Sequence, residues 1–110
     1  MPQTYKVLGQ SAPNAATTAN VYTVPASTQA VVSSIVVTNR NNNANITYRL
    51  AVQPAGAALA NQHYIAYDST ILALDSVALS LGLSLGNTDV VSVYSANSGV
   101  SFSVFGVEIT

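Results

Sequence analysis

The sequence predicts an all-β protein, an antiparallel β-sandwich of about eight strands that is jelly-roll-like or, as the alternative, immunoglobulin-like. Segments that alternate between apolar and polar residues recur along the chain, with turn-forming residues between them at intervals of roughly 8 to 12 residues. No stretch shows the apolar repeat of a long amphipathic helix. The chain has no cysteine and no tryptophan, so it lacks the signature of true immunoglobulin domains. Its 110 residues suit a single domain over residues 1–110.

The strongest strand pattern covers residues 76–86. Its odd-numbered positions are apolar, whereas its even-numbered positions carry small, uncharged residues. Because side chains on a strand point alternately to opposite faces, this strand has one apolar face and one face that is flat and neutral. Another surface can approach that second face closely. We therefore predict an interface at its small residues, Ala78, Ser80, Gly82 and Ser84.

The first quarter of the chain contains two short strand patterns, over residues 4–10 and 21–24. The residues between them, 11–20, are small and polar and include a proline, so they predict a loop or an extended arm. Pro25 ends the second strand, because proline has no backbone donor for a sheet.

Two hairpins are predicted further along the chain. Residues 40–44 are rich in asparagine and lie between strand patterns over 30–39 and 45–52. Asparagine tolerates positive φ and bonds to its own backbone, so this segment predicts a hairpin turn. The last two strand patterns, 89–94 and 100–109, flank a five-residue loop that ends in glycine, which is typical of a second hairpin.

One more strand is expected over residues 62–67, and residues 59–62 are compatible with a single helical turn before it. In the final strand, Gly106 indicates either a bulge or a close approach of two backbones. Beyond that glycine, Val107 and Ile109 are expected on the opposite face from the apolar residues that precede it.

Charged residues are scarce. They make up 6% of the chain, whereas a typical soluble domain has about 25%. The net charge of −1 provides no attraction to nucleic acid or to an anionic membrane, so neither is expected as a partner. Low charge also leaves little repulsion between copies, which suits a protein that contacts itself or a scaffold. The seven charged residues are Lys6, Arg40, Arg49, Asp68, Asp75, Asp89 and Glu108.

The N-terminal residues lack the apolar run of a secretion signal, and no stretch approaches the roughly 18 apolar residues of a membrane-spanning helix. Synthesis in a cytosol is expected. The absence of cysteine is compatible with folding in a reducing compartment.

No catalytic, metal or cofactor site is predicted, and the chain is not expected to be an enzyme. His63 is the only histidine, and the nearest acid, Asp68, falls on the opposite face of a regular strand. A structural role is favoured for His63, with a pH-sensitive contact as the alternative. Asp68, Asp75 and Asp89 lie at strand ends, where capping of turns explains them as well as calcium binding does.

Two arginines and two tyrosines are further candidates for contacts. Arg40 and Arg49 belong to one predicted hairpin, and arginine is enriched in interfaces, so an interface role competes with simple solubility. Tyr64 and Tyr67 favour packing in the core over a platform for carbohydrate or bases.

A family resemblance rests on five passages that span nearly the whole chain: YKVLGQSAP (5–13), VYTVPA (21–26), NQHYIAYD (61–68), TDVVSVY (88–94) and FSVFGVEI (102–109). They resemble small virion structural proteins of tailed bacteriophages, in particular those of cyanophages and other marine or freshwater phages. The resemblance supplies no set of binding residues.

The resemblance implies a non-enzymatic component of the virion that is made in the host cytoplasm. Its most specific implication is a capsid decoration (cement) protein that binds and stabilises the shell of the major capsid protein. Such a protein is expected to form a trimer or a dimer, with residues 11–20 as an arm that orders on the shell. The alternatives are a neck, tail or baseplate module and, from another class, a lectin-like module for host-surface glycans.

Overall fold

Eight antiparallel strands form two sheets, which confirms the predicted all-β class. The computed structural model describes residues 2–110, and within that range there is no α-helix, only two short 3₁₀ turns before the fifth strand. The strands are β1 (Gln3–Ser11), β2 (Ala19–Thr23), β3 (Gln29–Asn39), β4 (Ile46–Gln53), β5 (Tyr64–Ile71), β6 (Ser76–Leu85), β7 (Val90–Tyr94) and β8 (Val100–Ile109).

The strand order in each sheet differs from the order along the chain. Sheet A has the order β1-β8-β3-β6, and sheet B has the order β2-β7-β4-β5. Only β4 and β5 are neighbours both in sequence and in a sheet. Every other connection crosses from one sheet to the other, so neither sheet is formed by one continuous part of the chain.

Both predicted hairpins are therefore wrong. Residues 40–45 join β3 in sheet A to β4 in sheet B, and residues 95–99 likewise join β7 to β8. The turn residues were identified correctly, but they bind each other: the Arg40 N–H donates to the Gly99 carbonyl at 2.7 Å, and Asn41 Nδ2 donates to the Ser98 carbonyl at 2.8 Å. Turn chemistry specifies a reversal of the chain and leaves open which strand pairs with which.

The connection between β1 and β2 is shorter than predicted. Because β1 continues to Ser11 and β2 begins at Ala19, the loop covers residues 12–18. The Ala16 N–H donates to the Ser95 carbonyl at 2.8 Å. This bond holds the loop against the β7–β8 connection, so the segment lies on the sandwich.

The core lies between the inner faces of the two sheets. Its largest fully buried side chains include Phe102, Ile35 and Leu50, from β8, β3 and β4. The rings of Tyr48 and Phe102 meet edge to face across the two sheets at 6.5 Å. Gly106 allows a close approach of backbones, as the sequence suggested: a Cβ there would lie 2.1 Å from the Val31 carbonyl oxygen.

One long side of the sandwich, formed by β1 and β2, is closed. These two strands contact each other although they belong to different sheets. A Cβ at Gly9 would lie 1.9 Å from the carbonyl oxygen of Val21, so only glycine permits the approach of β1 to β2. We call this the closed side.

A polar network completes the closed side. The carboxylate of Glu108 accepts a hydrogen bond from Tyr22 Oη at 2.6 Å and forms an ion pair with Lys6 Nζ at 2.8 Å. Lys6 and Tyr22 together hold the pKa of Glu108 below its usual value, whereas burial and the neighbouring carboxylate raise the pKa of Tyr22. The network thus joins β1 and β8 of sheet A to β2 of sheet B.

Candidate interaction surfaces

The outward positions in the four strands of sheet A carry no charged side chain. The only charged residues in these strands are Lys6 and Glu108. Glu108 turns inward and bonds to Tyr22 in the other sheet, and Lys6, whose side chain is 44% exposed, pairs with Glu108. Every outward position is apolar, hydroxyl-bearing, amide or small. Arg40, which follows β3, reaches this face only at one end, where it bonds to Ser101. A partner can therefore cover the rest of the face without removing any charge from water.

Apolar side chains concentrate at one end of this face. Tyr5, Val107, Val31 and Ser84 are in register across all four strands, and Val7 pairs with Phe105 in the next outward row. Tyr5 is 79% exposed and Val7 is 47% exposed. Large apolar groups grouped in the open in this way are typical of interaction sites. We call Tyr5, Val7, Val31, Phe105 and Val107 the apolar patch.

The predicted small face of β6 lies on the same outer surface. Ala78, Ser80, Gly82 and Ser84 are all exposed, as an interface requires. A Cβ added at Gly82 would meet no atom within 4 Å, so this stretch is open to a partner.

The apolar side of β6 is less buried than its leucines suggest. Val77, Leu79, Leu81 and Leu83 pack against the core but remain partly exposed. The reason is that β6 is the edge of sheet A, β5 is the edge of sheet B, and these two strands make at most marginal contact. We call this the open side; the connection between its strands adds the exposed side chains of Leu72 and Leu74.

A shallow hollow lies where the apolar patch meets the end of β6. Its volume is about 370 Å³, and its lining includes Thr28, Gln29, Gly86 and Ile109. No titratable side chain lines it. It offers space for a contact.

The outer face of sheet B is different in character, since it holds a cluster centred on Arg49. The guanidinium forms a bidentate pair with Asp68, with Nε to Oδ1 at 2.7 Å and Nη2 to Oδ2 at 3.2 Å. It also lies 4.1 Å from the ring centre of Tyr67 and 4.7 Å from that of Tyr94. Tyr64 meets Tyr67 edge to face at 4.9 Å. We call these five residues the tyrosine–arginine cluster.

An irregularity in β5 makes this cluster. The register between β4 and β5 shifts opposite Arg49, and Asp68 has a positive φ of 53°. Tyr67 and Asp68 are consequently both exposed, although neighbours on a regular strand face opposite ways. The ion pair with Arg49 lowers the pKa of Asp68. An exposed pair of this kind adds little stability.

The two arginines that the sequence assigned to one hairpin lie apart. Arg49 is on the outer face of sheet B, whereas Arg40 follows β3 and donates Nε to Ser101 Oγ at 2.8 Å. Arg40 therefore lies beside the end of sheet A opposite the apolar patch. The separation follows from the crossover between β3 and β4.

The remaining candidates have structural partners. His63 is buried, and its Nδ1 accepts the Ala60 N–H at 3.0 Å. Asp75 accepts the Ser76 N–H, and Asp89 accepts the N–H groups of Gly86 and Ala55. Within residues 2–110, no group of three or more histidine, aspartate or glutamate side chains converges to hold a metal ion.

Comparison with protein-family models finds no match to the chain, and comparison with curated proteins finds none either. None of the helical segments in residues 2–110 has the length and apolar character needed to span a membrane. The surfaces themselves therefore carry the functional argument.

Sequence reasoning missed the apolar patch and the network of the closed side. Tyr5 and Val7 alternate in the first strand, and Val107 alternates in the last, but the patch exists only because β1, β8 and β3 are neighbours. The one available signal was the lone glutamate among apolar residues at the end of the last strand, Glu108.

Proposed function

We propose that this protein is a non-enzymatic structural component of a phage virion, a capsid decoration protein that binds and stabilises the shell of the major capsid protein. The observation that carries the proposal is the outer face of sheet A, whose strand positions carry no charge and which holds the exposed apolar patch. A face of this kind is suited to burial against another protein and unsuited to nucleic acid, which requires basic groups.

The strand pairing supports a jelly roll over an immunoglobulin-like sandwich. The pairs β1–β8, β2–β7, β3–β6 and β4–β5 are those of one long hairpin rolled into two sheets. Immunoglobulin sheets instead contain several pairs of consecutive strands, such as A with B and F with G. Jelly rolls are common in viral capsid domains and also in lectin domains. This likeness of fold adds weight to the proposal and does not by itself establish a function.

Binding to shells tests the proposal. Shells of the major capsid protein that lack this protein would be mixed with it and sedimented. We expect the wild-type protein to sediment with the shells, with little change as salt is raised, because no charged pair holds the uncharged face. The Tyr5→Lys/Val7→Lys variant is expected to remain in the supernatant. Thr70→Lys, an exposed change on sheet B, is the matched control and is expected to bind.

The copy number in purified particles separates a role on the head from one in the neck, tail or baseplate. A decoration protein is present in numbers comparable with the major capsid protein, whereas a tail module is present in few copies. Absence from purified particles, or shells that never retain the protein, would contradict the virion role.

The tyrosine–arginine cluster favours a second candidate, a lectin-like module for host glycans. Tyr67 is 57% exposed, and the neighbouring Asp68 side chain is 46% exposed. An open aromatic ring beside oriented hydrogen-bonding groups suits the apolar face and the hydroxyls of a sugar. A glycan array probes this directly. Binding that is lost in Tyr67→Ala and kept in Tyr5→Lys would favour it over the shell-binding role.

A further inference from the structure

We propose that the free edge of β6 pairs with the β6 edge of a second copy of the chain, which joins two A sheets into one continuous eight-stranded sheet. The inference rests on the proposed assembly function and names a partner for it. β6 runs for ten residues, from Ser76 to Leu85, with one side bonded to β3 and the other side free. Such an edge presents a row of backbone donors and acceptors to any strand that fits it.

The other three edge strands carry features that oppose pairing. β1 has an inward-pointing lysine, Lys6, and a register shift at Leu8. β2 is only five residues long and also has a register shift. β5 has two register shifts and exposes Asp68. β6 also has one register shift, against β3 between Leu83 and Ser80. However, it is ten residues long, it has no charge and no proline, and its alternation of exposed and partly buried residues is unbroken from Ser76 to Ser84. Folded proteins protect their sheet edges with charges, prolines and short strands, so the absence of these three features marks β6 as an edge that is used.

The sequence of β6 matches itself under two-fold symmetry. In an antiparallel pair centred on Leu81, residues on the same face of the sheet lie opposite each other. Apolar residues then meet apolar residues, and small residues meet small residues. The opposed pairs are Leu81 with Leu81, Leu79 with Leu83, Val77 with Leu85, Ser80 with Gly82, and Ala78 with Ser84. A pair centred on Ser80 also places apolar residues opposite apolar residues and small residues opposite small residues, so two registers are compatible with the sequence.

Pairing would also cover the open side of the sandwich. Leu79, Leu81 and Leu83 point toward the core and remain partly exposed there, so a second copy would complete their burial. Nine paired residues extend about 30 Å, and the shortest dimension of the molecule is 19 Å. The side therefore offers about 600 Å² to a partner, somewhat less than the roughly 800 Å² per partner of a standard stable interface. A reversible dimer is expected.

Cysteine crosslinking tests the pairing and its register. The chain has no cysteine of its own, so a single introduced cysteine reports only its own contact. Leu81→Cys lies on the two-fold axis of one register and Ser80→Cys on that of the other, and opposed residues lie close enough for a disulfide. We expect one of them to form a crosslinked dimer on mild oxidation. Leu83→Cys, displaced from its counterpart by about 13 Å, and Thr70→Cys on sheet B are expected to stay uncrosslinked.

Introduced charges provide the second test, in which light scattering after gel filtration measures the mass of each variant. The variant Ser80→Lys/Gly82→Lys places like charges opposite each other, and Ser80→Glu/Gly82→Glu does the same with acids. Each is expected to be monomeric alone, and an equimolar mixture is expected to be dimeric. A Cβ added at position 82 meets no atom within 4 Å, and Ser80 is exposed, so folding should be kept. Gly82→Ser, the uncharged control, is expected to dimerise like the wild type.

Two results would overturn the pairing: a wild-type protein that stays monomeric over the micromolar range, or crosslinking at positions 80 and 81 no faster than at position 70. Failure of the pairing and failure of the proposed function are distinguishable. A monomer that still sediments with shells contradicts only the pairing, whereas a dimer that does not bind shells contradicts only the shell-binding role.

Discussion

The edges of the two sheets meet on one long side of the sandwich and stay apart on the other. On the closed side, β1 and β2 touch through Gly9 and are joined by the network of Lys6, Tyr22 and Glu108. On the open side, β5 and β6 stay apart, and the row of leucines on β6 is left partly exposed. The same two sheets thus have one side that is packed within the chain and one side where apolar side chains remain partly exposed.

The difference shows where stability and association reside. Close backbone packing and a buried polar network stabilise a fold only if both partners are in place, so the closed side should tolerate little change. The open side makes few contacts that depend on one side-chain shape. It should tolerate substitution in the isolated chain and respond mainly through contacts with other molecules.

The largest effect is expected from a pair of glycine substitutions. Gly9→Ala places a methyl group 1.9 Å from the Val21 carbonyl oxygen, so β1 and β2 must separate, at a cost of about 3 kcal/mol or more. Gly82→Ala meets no atom within 4 Å and is expected to change stability by less than about 0.5 kcal/mol. Urea denaturation of both variants measures the difference. Equal midpoints would show that the closed side is no tighter than the open side.

The next effect concerns the polar network. Tyr22→Phe removes a buried hydroxyl that donates to Glu108, and the loss of a hydrogen bond to a charged acceptor is expected to cost about 2 kcal/mol. Tyr67→Phe, an exposed tyrosine on sheet B, is the matched control and should be close to neutral. Thermal unfolding followed by circular dichroism compares the two variants. An unchanged melting temperature for Tyr22→Phe would show that the network does not stabilise the closed side.

A smaller effect is expected from the leucines of the open side. Leu50 is fully buried, so Leu50→Ala should cost about 2–5 kcal/mol. Leu81 is partly exposed, so Leu81→Ala should cost only about 1 kcal/mol in dilute protein. The cost should grow as protein concentration is raised, because dimerisation would bury Leu81 in the wild type. A cost for Leu81→Ala that matches that of Leu50→Ala would show that the side is closed.

The smallest effect is a dependence on pH. Lys6 and Tyr22 lower the pKa of Glu108 in the folded protein, so their stabilisation is fully present above the ordinary glutamate pKa and is lost as pH falls through the lowered value. Glu108→Gln should therefore be less stable than the wild type at neutral pH, and the difference should shrink in acid. Denaturation midpoints across this range check the sign; a difference that widens in acid would contradict it.

Much of the fold could be predicted from periodicity. The strand over 100–109 and the strand after Ser76 appear with the predicted bounds, within a residue, because alternation records which residues face the core. Strand pairing could not be read in the same way. The turn at residues 40–45 satisfies its backbone whether it closes a hairpin or crosses between sheets, so only packing of the whole core decides.

The candidate surfaces were predictable to the extent that they lie on one strand. The four small residues of β6 face outward as expected, since alternation alone places them. The apolar patch brings Tyr5 and Val107 together from opposite ends of the chain, which requires knowledge of strand order. The cluster at Arg49 depends on an irregular register and a positive φ at Asp68, neither of which leaves a pattern in the sequence.

Hydrogen–deuterium exchange at several protein concentrations tests the contrast between the two sides most directly. Backbone amides of β1 that bond to β8, and those of β2 that bond to β7, should exchange slowly at every concentration, because the chain itself protects them. Amides on the free edge of β6 should exchange fast in dilute protein and slow down as concentration rises over roughly a hundredfold range and copies pair. Exchange at β6 that is slow and independent of concentration would contradict the account, since that edge would then be protected within a single chain.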